Sequence, residues 1–510
     1  MPPPPSLDRT IAAAVAEPLQ TTDLRLAGLL AALSHALDLV EGQPEGHCVR
    51  CCWIGVHIGR ALNLSDGELW DLYYTLLLKD LGCSSNAARI CQLYLADDID
   101  FKRGVKTVDT TSVSQALKFV LTHTGLKAGL ADRIRSLAHV CAKGGEIARE
   151  LVETRCHRGA DIARRMRFSE AVADGIQNLD EHWDGHGLPE GRAGTDIPLK
   201  SRIALFSQVI DVFQSASGDE AALQEIRYRS GTWFDPQLVR TFEDVASTPG
   251  FWEMLRSDDL QQAVFELEPA QHVVLVDEGY LDDIAHAFAQ VIDSKSPYTS
   301  GHSERVTMFT DRLAKELGLS APRRRWLRRA ALLHDIGKLG VSNSILDKAG
   351  ALDEVEWKQV RQHAQFTQDI LAHVAVFKEM APVAGAHHER LDGKGYPHGL
   401  KGDEISIETR IITTADIFDA LTADRPYRRA MPVAKALEIV HGMVGTAIDE
   451  RCFEAEARRG GGLASARSDT ASYRSHCLGN MVALQLAASL SMRREYITRL
   501  IRCAGAAGTA

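Results

Sequence analysis

The 510-residue sequence lacks a basic excess: 58 lysines and arginines stand against 68 aspartates and glutamates, a net charge of −10. That sign speaks against duplex nucleic acid as a partner, although a local basic pocket can still take a small anion. The marks of export are missing as well. Met1 is followed by four prolines instead of a basic and then an apolar stretch, so no signal peptide is expected and a cytoplasmic location is. No run of about 18 uncharged apolar residues occurs, so no membrane span is expected. Ten cysteines are scattered without a disulfide framework, as suits a reducing compartment. Cys48-Val49-Arg50-Cys51-Cys52 holds one CxxC spacing with no second pair and reads as small buried apolar residues. Period-two runs of β-branched residues are nearly absent, Val273–Val276 being the one strand-like stretch.

What remains is helix. Apolar residues make up 45% and charged residues 25%, the composition of a globular chain with room for two or three domains. Trp326–Ile336, Glu354–Val374 and Arg410–Leu421 carry apolar residues three and four apart, and Asp353 with Glu356 predicts a capping box. The expected fold class is all-α.

The chain also repeats itself. Gly46–Arg50 (GHCVR), Ala61–Ser65 (ALNLS) and Leu78–Gly82 (LKDLG) return 255 residues later as Gly301–Arg305 (GHSER), Glu316–Ser320 (ELGLS) and Leu333–Gly337 (LHDIG). Asp184–Pro189 (DGHGLP) returns after only 208 residues as Asp392–Pro397 (DGKGYP). The shorter offset places an insertion in the first copy, at about 91–150. The expected organisation is a tail at 1–22, a first copy at 23–255, a linker at 256–280, a second copy at 281–455 and a divergent tail at 456–510. Where the second copy has His334, His387, His388 and Asp416, the first has Lys79, Leu179, Asp180 and Gln208. The first copy is expected to keep the fold without a catalyst.

In the second copy His302 lies on the stripe of Val306, Phe309 and Leu313, and His363 shares a face with Val360 and Thr367. His334-Asp335 and His387-His388 are adjacent pairs, and Asp416 sits one turn after Ile412 inside an apolar helix. Buried imidazoles and carboxylates are costly unless paired or metal-bound. One such histidine is ordinarily a satisfied core residue; five with two aspartates, on successive helices, point to metal.

Four segments resemble the HD-GYP family of HD-superfamily phosphohydrolases, which includes the cyclic di-GMP phosphodiesterases. They are Tyr298–Arg305 (YTSGHSER), His334–Lys338 (HDIGK), His387–Pro397 (HHERLDGKGYP) and Ala415–Arg428 (ADIFDALTADRPYR), within about residues 281–453. The resemblance implies two tandem HD-type bundles, the first degenerate. It implies that His302, His334, Asp335 and Asp416 hold one divalent transition metal, and that Asp335, His363, His387 and His388 hold a second. Mixed imidazole and carboxylate ligation suits iron or manganese better than magnesium. Some family members use a glutamate four residues before the first histidine for a third metal; Tyr298 stands there, so two are expected. Asp335 and Lys338 are the expected catalytic residues. Lys338, four residues after His334, is placed to meet a phosphate oxygen. Arg425 and Arg428 match the family's basic pair for substrate phosphate, and Tyr396 either packs on the site or stacks on a base.

The family's closing F-D-P signature is present in the first copy as Phe234-Asp235-Pro236, but the second has Ile448-Asp449-Glu450, where the resemblance stops. Residues 456–479 read as a flexible linker, and Asn480–Arg502 as an amphipathic helix docked on the bundle. The expected function is hydrolysis of cyclic di-GMP to the linear dinucleotide pGpG, then to GMP. Another cyclic dinucleotide, a nucleotide ester, or a non-catalytic nucleotide-sensing role are the alternatives. A homodimer through the first copy is a candidate assembly.

Overall fold

The computed structural model describes residues 24–269, 274–424 and 429–460. Every regular element among them is helical, and the only β pairing is in isolated bridges. In the first copy the framework is α1 (Leu26–Val40), α2 (His47–Ala61), α3 (Asp66–Leu78), α4 (Leu130–Arg165), α5 (Leu199–Ser217) and α6 (Pro236–Ala246). The second repeats it as α7 (Glu278–Asp293), α8 (His302–Glu316), α9 (Ala321–Leu333), α10 (Glu354–Ala372), α11 (Ile407–Thr422) and α12 (Glu450–Gly460).

Local chemistry sets the boundaries. Ser65 and Glu68 make a capping box at α3, and Asp353 and Glu356 make the predicted one at α10. Ser320 and Ser406 cap α9 and α11 through side-chain oxygens. Buried Asp38 accepts the backbone N–H groups of Gly46 and Cys48, tying down the start of α2, and Asp293 does the same for α8 through Ser303. The turn after each HD-type pair is pressed against a helix: a Cβ on Gly82 would lie 1.9 Å from the Arg155 carbonyl oxygen, and one on Gly337 2.0 Å from that of His363. Only glycine fits at those two positions.

One apolar core runs through both copies, from Leu29 and Leu33 in α1 to Leu339 and Leu371 around α10. Helix α1 packs on the Ile336–Gly340 turn and α10 of the second copy, while α7 packs on α4 and the Cys83–Asn86 turn of the first. The segments leading into α1 and α7 pair in antiparallel fashion, Leu26 N to Val274 O (3.0 Å) and Val276 N to Leu24 O (3.0 Å). The insertion builds Asp98–Val105, Val113–His123 and the first part of α4, up to a kink at Lys143, around Tyr94, Phe101 and Phe119. From it, buried Asp98 reaches across to the second copy, accepting from Asn343 N (2.7 Å) and Ser342 Oγ (2.9 Å).

The structure differs from two expectations. Residues 256–280 carry a helix, Leu260–Leu267, because Leu260, Val264 and Leu267 fall on one face and are buried against α2. The second copy also closes with a helix. Asp449 caps α12 by accepting from Arg451 N and Cys452 N, and pairs with Arg410 at 2.7 Å, as Asp235 pairs with Arg202 at 2.7 Å in the first copy. Residues 456–460 therefore belong to α12 and not to a linker. The proposed helix Asn480–Arg502 lies outside the described residues. No helix among the described residues is long and apolar enough to cross a membrane.

Candidate metal centre

The frame brings seven of the expected residues together. His302 opens α8, His334 caps the end of α9 with Asp335 next to it, and His363 lies in α10. His387 and His388 follow the short helix Ala381–Gly385, and Asp416 lies in α11. All but half-buried His388 are buried.

Their orientation is set from behind. His334, His363 and His387 place Nδ1 on the carbonyl oxygens of Ala331 (2.7 Å), Val360 (2.5 Å) and Ala384 (2.6 Å), each three residues back. His302 Nδ1 meets Asp419 Oδ2 at 2.7 Å, and Arg305 holds the other oxygen of that carboxylate at 2.6 Å. With Nδ1 donating, Nε2 is left as a lone pair aimed at the centre.

Asp335 divides the cluster. Its Oδ2 is 3.4 Å from Nε2 of both His302 and His334; its Oδ1 is 3.6 Å from Nε2 of both His363 and His387. Asp416 Oδ1 joins the first group, 3.4 Å from His302 and 3.9 Å from His334. His363, His387 and His388 form a second group with ligand atoms close enough to share one ion. Nε2 of His302, Nε2 of His334 and Oδ1 of Asp335 are buried without a hydrogen-bond partner. Orphaned buried atoms of this kind are expensive, and this donor set fits a pair of divalent cations that would satisfy them.

Electrostatics agree with that fit. Burial disfavours ionised Asp335, but its neighbours His334 and Lys338 hold its carboxyl well below the usual range. Burial pushes His363 down to about 3 and His388 to about 4, keeping both imidazoles available as neutral ligands. Burial also opposes the His302 cation, yet contacts with Asp335 and Asp419 raise its pKa to about 9, so an arriving metal must displace a proton there.

Of the remaining expected residues, Lys338 Nζ lies 2.5 Å from Asp335 Oδ2, at the edge of the cluster. Tyr396 is half-buried with its ring centroid 4.8 Å from that of His388. Its loop hangs from Glu389, which accepts the backbone N–H groups of His398, Gly399 and Leu400; Glu181 holds the loop of the first copy identically, through Glu190, Gly191 and Arg192. Arg425 and Arg428 lie outside the described residues. Asp419 and Arg305 were missed as site residues. The repeat marks them, because Asp211 and Arg50 stand at the same offsets, Asp211 meeting His47 Nδ1 and Arg50 holding Asp211 in turn.

In the first copy, cationic side chains stand where ligands stand in the second. Lys79, at the His334 position, is 2.9 Å from His47 Nε2 and ion-paired with Asp80 Oδ2. Lys106, from the insertion, lies 4.0 Å from Asp80 Oδ1 and 2.7 Å from Glu41. Burial works against the Glu41 charge, but Lys106 and Lys102 hold its pKa near 2. Arg155, at the His363 position, pairs with Asp180, at the His388 position. Two groups here, His47 with Cys51 and Asp211, and Glu41 with Asp80 and Cys83, are close enough to share a cation. Their carboxylates are already matched by Arg50, Lys79 and Lys106, and burial pushes both thiols well up from the ordinary cysteine range. Cys48, Cys51 and Cys52 are buried, as expected of apolar packing.

Comparison with known proteins follows the same division. The HD domain family model matches residues 127–238 and again 286–452. A curated relative from Vibrio cholerae serotype O1, named as a 3'3'-cGAMP-specific phosphodiesterase, is 57% identical over 430 residues, 84% of this chain and 93% of the relative. A crystal structure of a V. cholerae cyclic GMP-AMP specific phosphodiesterase aligns with a TM-score of 0.60 at 52% identity, covering 85% of this chain and 97% of that one. A cyclic di-GMP phosphodiesterase response regulator of Xanthomonas campestris pv. campestris is 37% identical over 172 residues, 33% of this chain and 46% of that protein.

Proposed function

The chain belongs to the HD domain family, and on that premise we propose that its second copy is a metal-dependent phosphodiesterase that opens a cyclic dinucleotide, with 3'3'-cGAMP ahead of cyclic di-GMP. The observation that carries the reading is the division of Asp335, one oxygen facing His302 and His334 and the other facing His363 and His387. His302, His334, Asp335 and Asp416 would hold one ion, and Asp335, His363, His387 and His388 would hold the other. Iron or manganese matches the donors. Bound there, two divalent ions supply a hydroxide nucleophile at neutral pH and positive charge for the phosphoryl oxygens.

The chain's own residues do the rest. Lys338 carries a cation beside the cluster without belonging to the donor set, and we assign it to a non-bridging oxygen of the scissile phosphate. Asp419 fixes the tautomer of His302 and Arg305 fixes Asp419. Tyr396 covers the His388 edge of the cluster. Arg425 and Arg428, nine and twelve residues after Asp416 in sequence, are assigned to the phosphate that is not cleaved. Water adds across one phosphodiester, and the ring opens to a linear dinucleotide.

The preference for 3'3'-cGAMP rests on the relative that spans both copies; cyclic di-GMP, expected from the sequence resemblance, is supported by relatives that match over a third of the chain. The test is turnover of 3'3'-cGAMP, cyclic di-GMP, cyclic di-AMP and bis(p-nitrophenyl) phosphate by the full chain loaded with iron or manganese, with products resolved by chromatography. Fastest ring-opening of 3'3'-cGAMP is expected. Hydrolysis of the small ester without any cyclic dinucleotide turnover would refute the reading.

A further inference from the structure

Beside the cluster, three side chains form a ladder that leads outward. From His388 the first step is the Tyr396 ring, at 4.8 Å between centroids. The Arg361 guanidinium lies 5.4 Å from the centroid of Tyr396 and 5.9 Å from that of Trp357. Trp357 is 47% exposed, so a face of its ring is open to a ligand. Glu354, Trp357, Lys358 and Arg361, at helical spacing on one side of α10, line an open depression. Arg361 makes no hydrogen bond or ion pair with any described residue, whereas Arg323, Arg324, Arg325, Arg328 and Arg329 on α9 are all paired with carboxylates. An exposed ring and an uncommitted guanidinium, joined to the cluster through Tyr396, are what a nucleobase requires: a face to stack on and a fork to meet its edge.

We propose that Trp357 and Arg361 form a purine subsite of the second copy, with guanine as its preferred base. The proposal rests on the cyclic dinucleotide reading given above. Stacking on Trp357 accepts any base, since every base has a π face. Selection falls to Arg361. Guanine presents two adjacent acceptors, O6 and N7, that match the parallel N–H groups of a guanidinium, while adenine presents one acceptor beside an amino donor. A cyclic dinucleotide with one phosphate at the metals projects a base away from them, and Tyr396 bridges that interval.

The test compares wild-type full-length protein, loaded with metal, with Trp357→Ala, Trp357→Phe and Arg361→Ala on 3'3'-cGAMP, cyclic di-GMP, cyclic di-AMP and bis(p-nitrophenyl) phosphate. Trp357→Ala should raise KM for all three cyclic dinucleotides by about tenfold, with kcat changed much less, and Trp357→Phe should recover most of that loss. Arg361→Ala should raise KM about tenfold for the two guanine-containing rings and leave cyclic di-AMP nearly unchanged. Both alanine variants should leave bis(p-nitrophenyl) phosphate within about twofold, since it carries no purine. As a readout apart from turnover, 3'3'-cGAMP should quench the tryptophan fluorescence of metal-free wild type, and the quench should shrink in Trp357→Phe. Equal losses on the small ester, or a guanine preference that survives Arg361→Ala, would overturn the subsite while leaving the enzyme reading intact. Wild-type protein that turns over no cyclic dinucleotide would remove both.

Discussion

In the second copy a buried carboxylate, Asp335, faces imidazoles of which His302 and His334 leave Nε2 without a partner; in the first, the matching Asp80 meets the ammonium groups of Lys79 and Lys106. A carboxylate taken out of water has to be matched by positive charge, and side chains or metal ions can supply it. The first copy supplies it covalently. What the two share is the frame: Asp38 and Asp293 at the histidine helices, Gly82 and Gly337 under the turn, Glu181 and Glu389 beneath the loop, and the arginine–aspartate pairs behind His47 and His302. What differs is the donor set. The repeat therefore acts as an internal control, separating motif residues that hold the fold from those free to do chemistry.

The largest effect should come from breaking the shared carboxylate of the second copy. Asp335→Ala should lower phosphodiesterase activity about a thousandfold or more, roughly 4 kcal/mol of transition-state stabilisation, as read from kcat/KM. In the first copy the matching break should cost stability and not catalysis. Lys79→Met leaves buried Asp80 with less compensation, and should cost about 3 kcal/mol in urea unfolding without changing metal content. Asp419→Asn should weaken metal binding or activity about 10- to 100-fold, while Asp211→Asn, its counterpart, should leave both unchanged. Equal effects on activity from that pair would mean that the carboxylate acts through the fold alone. The smallest effect belongs to the contact between the copies: Asp98→Asn removes a charged acceptor from Asn343 and Ser342, and should cost about 1–2 kcal/mol of stability with kcat nearly unchanged.

Much of this was legible in the sequence because repetition supplied the comparison. The helical period, the capping box at Asp353 and the offsets of 255 and 208 stand in the sequence itself, and the seven metal-ligand candidates named by resemblance lie in one cluster. The closing helix of the second copy is not legible from the F-D-P signature, because Ile448-Asp449-Glu450 stands in its place. The physics asks only for an Asp cap, an arginine to pair with it and an apolar residue before it, which Asp449, Arg410 and Ile448 provide. The helix Leu260–Leu267 was hidden for a similar reason, three apolar residues being too few to stand out in a stretch bounded by charges. Lys106 was out of reach of any repeat argument, since it comes from an insertion with no counterpart. Arg155 was not: it stands 208 residues before His363, and that exchange of a ligand for a cation was there to be read.

The most direct test of the account is metal content, by mass spectrometry, of the purified full-length protein and its Asp335→Asn and Asp80→Asn variants. Both substitutions keep side-chain shape while removing one carboxylate charge. If Asp335 bridges two ions and Asp80 is matched by Lys79 and Lys106, wild type and Asp80→Asn should each hold close to two transition-metal ions per chain and Asp335→Asn close to none. Metal retained by Asp335→Asn, or lost from folded Asp80→Asn, would contradict it.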